Sequence, residues 1–137
     1  MTELKPLDDQ TFVAGQIRPE DLAEAKRRGI TMVVNNRPDG EDPGQPASAE
    51  LEAAADAAGL DYRHIPIARG LGPAQIEEMV SAISERGDGK MLAFCRSGMR
   101  STLAWAVACR EAGVPREDVE RGAASAGYSL NAVDHLL

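Results

Sequence analysis

A chain of 137 residues, 43% hydrophobic and 27% charged, is long enough for one domain with its own core, and a soluble globular protein over residues 1–137 is expected. Its net charge of −7 argues against a nucleic-acid surface, which needs a basic stripe, and no apolar run is long enough to span a bilayer. Two cysteines do not make a disulfide framework, and the first nine residues lack the apolar stretch of a secretion signal, so a reducing, cytoplasmic setting is expected.

In chain order, Phe12-Val13-Ala14 reads as a short strand. A pattern of helix, glycine stop and apolar strand then repeats. Pro19 to Arg28 reads as a helix ending at Gly29, with Ile30 to Val34 as the next strand. Ser48 to Ala58 ends at Gly59 and is followed by Asp61 to Ile65. Pro73 to Arg86 ends near Gly87 and leads to Met91 to Phe94. The glycines suit left-handed positions after a helix, and the prolines suit first turns. Ile76, Met79, Val80 and Ile83 follow a helical stripe. Beyond the last strand only helices are expected, over Ser101 to Ala112, Pro115 to Arg121 and about Ser129 to Leu136. Alternating strands and helices predict an α/β fold in three layers, a mainly parallel sheet of four to five strands with helices on both faces. Ligands in such folds sit beyond the C-terminal ends of the strands. Three loops leave such ends: Asn35 to Gly40, Arg69-Gly70, and the one after Phe94.

That last loop, Cys95-Arg96-Ser97-Gly98-Met99-Arg100-Ser101, places a thiol between a strand and a helix N-terminus. Backbone N–H groups and the helix dipole favour a thiolate and an anion there. Cys95 is the expected nucleophile. Arg100 offers a fork to an anion, Gly98 a left-handed turn, and Ser101 a hydroxyl for the thiolate or a free N–H. Arg96, Ser97, Gly98 and Met99 are expected to line the substrate site, with Arg37 and Arg69 adding positive charge on the same rim.

Cys-Arg-Ser-Gly-x-Arg-Ser resembles the active-site loop of rhodanese-type sulfurtransferases. Val13 to Ile17, Asn35 to Gly40, Pro43 to Pro46, His64-Ile65-Pro66 and the cysteine loop with Leu103 and Trp105 resemble the beta-lactamase-hydrolase-like family of bacterial proteins. The resemblance implies a fold similar to dual-specificity phosphatases, and an activity of the sulfur-transferase or phosphatase-like kind.

Two chemistries follow. Cysteine phosphatases resemble Cys-x5-Arg with a preceding histidine, whereas here Arg100 comes one residue earlier and Phe94 precedes the cysteine. The loop that would carry a leaving-group acid in dual-specificity phosphatases reads Ala68-Arg69-Gly70-Leu71-Gly72, with no carboxylate. The preferred expectation is therefore a sulfurtransferase that moves sulfane sulfur through a Cys95 persulfide, from thiosulfate or glutathione persulfide to a thiol or cyanide. The alternatives are a cysteine-dependent phosphatase of the dual-specificity type and a non-catalytic sulfide- or redox-responsive binding module. The expected partner is a small anion (thiosulfate, a persulfide or phosphate), with no cofactor, metal, nucleic acid or membrane, and the oligomeric state is left open.

The remaining candidates read as structural. Cys109 lies about 13 Å along the helix from Arg100 and belongs to an apolar face. His64 and His135 lack the spacing of a zinc site. Asp39 suits a turn, and Asn35 and Asn36 suit backbone groups at a strand end.

Overall fold

A computed structural model describes residues 2–137. Five strands form one sheet: β1 (Lys5–Asp8), β2 (Thr11–Ala14), β3 (Ile30–Asn35), β4 (Asp61–His64) and β5 (Lys90–Phe94). Their order is β1-β2-β5-β3-β4, with β1 antiparallel to β2 and every other pair parallel. The helices are α1 (Asp21–Arg27), α2 (Ser48–Ala58), α3 (Pro73–Arg86), α4 (Met99–Glu111) and α5 (Arg116–Ala126), with a 3-10 stretch over Asn131–Leu136.

Side-chain alternation explains the layers. On β3 and β5, Val33, Leu92 and Phe94 pack with Leu22, Ala25, Leu51 and Ala55 of α1 and α2. Met32, Val34, Met91 and Ala93 point the other way, to Met79 and Ala82 of α3 and Ala104 and Ala108 of α4. Both faces are therefore covered, and the central strands read as continuous apolar runs. A third cluster joins Leu7 and Val13 to Trp105 of α4 and Val119 and Ala123 of α5.

The α/β fold and parallel sheet match the expectation, and α2 and α3 have the expected ends. Four details differ. β1 was not expected: Leu7 is buried, but Pro6 and the flanking charged residues mask the pattern. α1 begins at Asp21 because Pro19-Glu20 forms a turn, in which the Asp21 carboxylate accepts the Arg18 N–H at 2.9 Å. α5 continues past Arg121 to Ala126 through Gly122. The last segment is a 3-10 turn from Asn131, whose N–H donates to Ser129 Oγ at 3.2 Å.

Register positions the site. Asn35 pairs with both Phe94 and His64, and Phe94 pairs with Ala14. The four parallel strands thus end side by side, and the chain leaves them at Gly15, Asn36, Ile65 and Cys95.

Candidate active site

Cys95 follows β5 directly and is 1% exposed. Its loop is tethered from outside. The Arg96 carbonyl accepts the Gln16 N–H at 3.3 Å, and the Ser97 carbonyl accepts the Tyr128 hydroxyl at 2.8 Å. In trans peptides the N–H points opposite to the C=O. Those tethers therefore turn the Ser97 and Gly98 N–H groups toward the other side, and the Gly98 N–H meets Cys95 Sγ at 3.2 Å. Gly98 has φ of 92°, and a Cβ on it would stand 2.3 Å from the Tyr128 hydroxyl oxygen, so only glycine fits. α4 then begins, with Thr102 Oγ1 donating back to the Gly98 carbonyl at 2.8 Å.

Arg100 crosses from α4 to the two neighbouring strand ends. Its Nη1 and Nη2 donate to Glu41 Oε2 and Oε1 at 2.8 and 2.9 Å, and Nη1 also donates to the Ile67 carbonyl at 2.8 Å. The three loops expected to share one rim do share it. The Glu41 hydrogen bond raises the Arg100 pKa most; burial opposes it, and the negative charge and hydrogen bonding of Cys95 add to the rise. The same guanidinium thus binds Glu41 and the Ile67 carbonyl while its charge is felt by Cys95.

Glu41 is held in turn by Arg37, whose Nε donates to Oε1 at 2.8 Å. The Arg100 hydrogen bond brings the Glu41 pKa down to about 2, burial pushes the other way, and Arg37 reinforces the fall. Arg37 was expected to offer its charge to the substrate. Instead it is 3% exposed and fully engaged, with Nη1 on Gln16 Oε1 at 2.9 Å and Nη2 on Asp42 Oδ2 at 2.6 Å. Its guanidinium ties the 36–42 loop to Gln16. His64 Nε2 donates to the Arg37 carbonyl at 2.9 Å, the structural role expected of it.

Ser101 also departs from expectation. It is fully buried, and its hydroxyl donates to Asn36 Oδ1 at 2.7 Å, so its proton is committed away from Cys95. Asn36 in turn donates through Nδ2 to the Ile65 carbonyl at 3.0 Å and through its N–H to the Phe94 carbonyl at 2.8 Å. One buried amide thus joins the ends of β3, β4 and β5 to the start of α4. Asp39 accepts the Ser48 N–H at 2.8 Å at the start of α2, a structural task as expected. Cys109 is buried in the α4–α5 cluster, and burial pushes its thiol up to about 12.

Of the other residues expected at the site, Ser97 and Met99 are exposed at the mouth. Arg96 is exposed too, with Nε 3.6 Å from Asp42. Arg69 is exposed and, among the described residues, makes no ion pair. A cleft of about 610 Å³ opens between the 67–72 loop, Arg100, Leu103 and the 132–136 segment. Sequence reasoning missed Glu41 and Tyr128. Glu41 lies only four residues past Arg37, on a loop already placed at the rim, but nothing local says which of two adjacent carboxylates turns inward. Tyr128 comes from the far end of the chain and has no local signal.

The chain has known relatives. It is 30% identical over 135 residues to a beta-lactamase hydrolase-like protein of Agrobacterium fabrum, an alignment covering 96% of this chain and 31% of that one. The chain thus spans about a third of the length of the curated relatives it matches. Among solved structures, a candidate phosphatase of Neisseria meningitidis superposes with a TM-score of 0.78 at 29% identity, covering 98% of this chain and 97% of the other. The active form of Tk-PTP superposes at 0.70 and 22% identity, covering 97% and 95%, a likeness of fold. The sheet and helices are thus those of the protein tyrosine and dual-specificity phosphatases. The family model for the phosphatase-like domain of beta-lactamase hydrolase-like proteins matches residues 3–112, from β1 to the end of α4, and the chain belongs to that family.

Proposed function

We propose that the domain is a cysteine-dependent phosphatase acting on phosphomonoesters, with Cys95 as nucleophile. The observation that carries the reading is the Gly98 N–H donated to the Cys95 sulfur at 3.2 Å, with Arg100 in the first turn of the helix that follows, in a phosphatase-like domain. The names of the relatives favour this alternative over sulfur transfer.

The Cys95 thiolate attacks phosphorus while the Arg100 fork and the Ser97 and Gly98 N–H groups hold the phosphoryl oxygens. The P–O bond to the alcohol breaks, and the leaving oxygen takes a proton. We assign that proton to Glu41, the carboxylate paired with Arg100. A phosphoryl dianion that takes over the Arg100 fork removes the partner that most depresses the Glu41 pKa. Arg37 still holds Oε1, so the released Oε2 is free to carry the proton. Water then cleaves the S–P bond, returning a proton to Glu41 and releasing phosphate. This supplies from the 36–42 loop the acid that the 68–72 loop lacks.

Turnover of phenyl phosphate and 4-nitrophenyl phosphate tests the reading. Cys95→Ser should lose about 1,000-fold or more with both. Glu41→Gln should lose about 100-fold with phenyl phosphate and less than about fivefold with the better leaving group. Equal losses on both substrates would remove Glu41 from the acid role. Sulfane transfer is the second reading, favoured by the short Cys-x4-Arg loop and by Phe94 in place of histidine. Cyanide-dependent thiocyanate formation from thiosulfate, lost in Cys95→Ser, with no phosphate release, would establish it instead.

A further inference from the structure

The cleft beside Arg100 lies outside the cysteine loop proper, since none of residues 95–99 lines it. Its volume of about 610 Å³ suits a small-molecule body. Its walls are largely apolar: Leu71 and Leu103 are half-buried, Val133 is buried and Leu136 is 39% exposed, with His135 as a polar side chain among them. Its charged lining is cationic. Arg100 stands at the inner end, and Arg69 is free of ion pairs among the described residues. Among the described residues, no carboxylate side chain lines it. Because Arg100 lines the cleft, a phosphoryl group held by its fork would stand at the edge of this space.

We propose that this cleft selects the alcohol part of the substrate, a small phosphomonoester with an aryl or alkyl body and a second anionic group that meets Arg69. The reasoning rests on the phosphatase reading for the reacting group and on the cleft alone for the rest. Apolar walls favour a body whose burial removes hydrocarbon surface from water. A guanidinium at the wall, with no ion-pair partner among the described residues, gives a second anion more than it gives a neutral group. A sugar or a short polyol would set most of its hydroxyls against Leu71, Leu103, Val133 and Leu136, with only His135 and the arginines as side-chain partners, which disfavours it.

Binding, separated from turnover, tests this. Calorimetry on the Cys95→Ser protein would compare methylphosphonate, benzylphosphonate and 4-carboxybenzylphosphonate, which cannot be hydrolysed. Benzylphosphonate should bind about tenfold more tightly than methylphosphonate, and the para-carboxylate should add about threefold to tenfold. In Leu136→Ser and Leu71→Ser the benzyl-to-methyl ratio should fall toward one. In Arg69→Gln the carboxylate should lose its advantage while the benzyl preference stays. Equal affinities of all three phosphonates would overturn the proposal, as would ratios unmoved by these exposed or half-exposed substitutions. If the ratios behave as expected but no phosphomonoester is turned over by the wild-type chain, the phosphatase reading falls and the cleft stands.

Discussion

The Glu41 carboxylate is depressed to a pKa of about 2 chiefly by Arg100, against the opposing push of burial, with Arg37 as the second support. Such a group stabilises the fold above the ordinary carboxylate range near 4.5, where it is charged in both states. As pH falls below that value the unfolded chain takes up the proton first, so the contribution is lost progressively toward pH 2. The side chain is 29% exposed, and screening by solvent limits the effect to about 1–2 kcal/mol. Urea unfolding should find Glu41→Gln destabilised by that amount at pH 6 and nearly equal to wild type at pH 2.5. An unchanged gap between the two pH values would show that the carboxylate's charge is not what holds the loop. Local sequence made Cys95, Gly98 and Arg100 legible, because a strand end, a left-handed turn and a helix start lie within six residues. Arg37 was misassigned because its partners Gln16 and Asp42 come from other loops, and an arginine's availability depends on those partners. Ser101 was misassigned for the same reason: Asn36 lies on another strand end.

At the scale of elements, α5 shows where local rules mislead. Gly122 in a helix interior reads as a stop, and the expected helix ended beside it. The structure instead uses the missing side chain to bring α5 against β1 and α4. A Cβ at Gly122 would lie 2.3 Å from the Leu7 carbonyl oxygen and 2.9 Å from the Trp105 ring. Alanine, the better helix former, should therefore destabilise here. Overpacking against backbone costs about 1–3 kcal/mol, more than the roughly 1 kcal/mol of helix propensity gained. Thermal melting of Gly122→Ala should show a transition several degrees lower, and a rise would mean that α5 can shift freely on β1. By contrast α2 and α3 were legible to the residue. Gly59 adopts φ of 76° after α2, and Pro73 opens α3, so sequence signal and tertiary demand agree there.

Across the whole molecule, a net charge of −7 surrounds a rim that carries Arg69, Arg96 and Arg100. The acidic body repels anions at long range, so recognition rests on short contacts at that rim. Binding of an oxyanion to the native fold alone raises stability by mass action, about 2.7 kcal/mol at a hundred times its Kd. Phosphate or vanadate should therefore raise the melting temperature, and Arg100→Ala should abolish most of the rise. A shift retained in that variant would move the anion site away from the 95–100 loop. The parallel sheet and the edge where its loops meet were legible from alternation alone, since helix, glycine and strand recur three times. The joining of distant segments at that edge, with Tyr128 reaching Ser97, was not.

The chain contains one tryptophan, and its place gives the protein a built-in optical reporter. Trp105 is 2% exposed, its indole N–H donates to Asp8 at 3.3 Å, and its ring packs where α4, α5 and β1 meet. Intrinsic fluorescence therefore follows the docking of the C-terminal helix onto the edge of the sheet. A denaturation curve from fluorescence that coincides with one from circular dichroism would mean that this corner and the sheet come apart together. An earlier fluorescence midpoint would identify α5 and β1 as a separately melting unit.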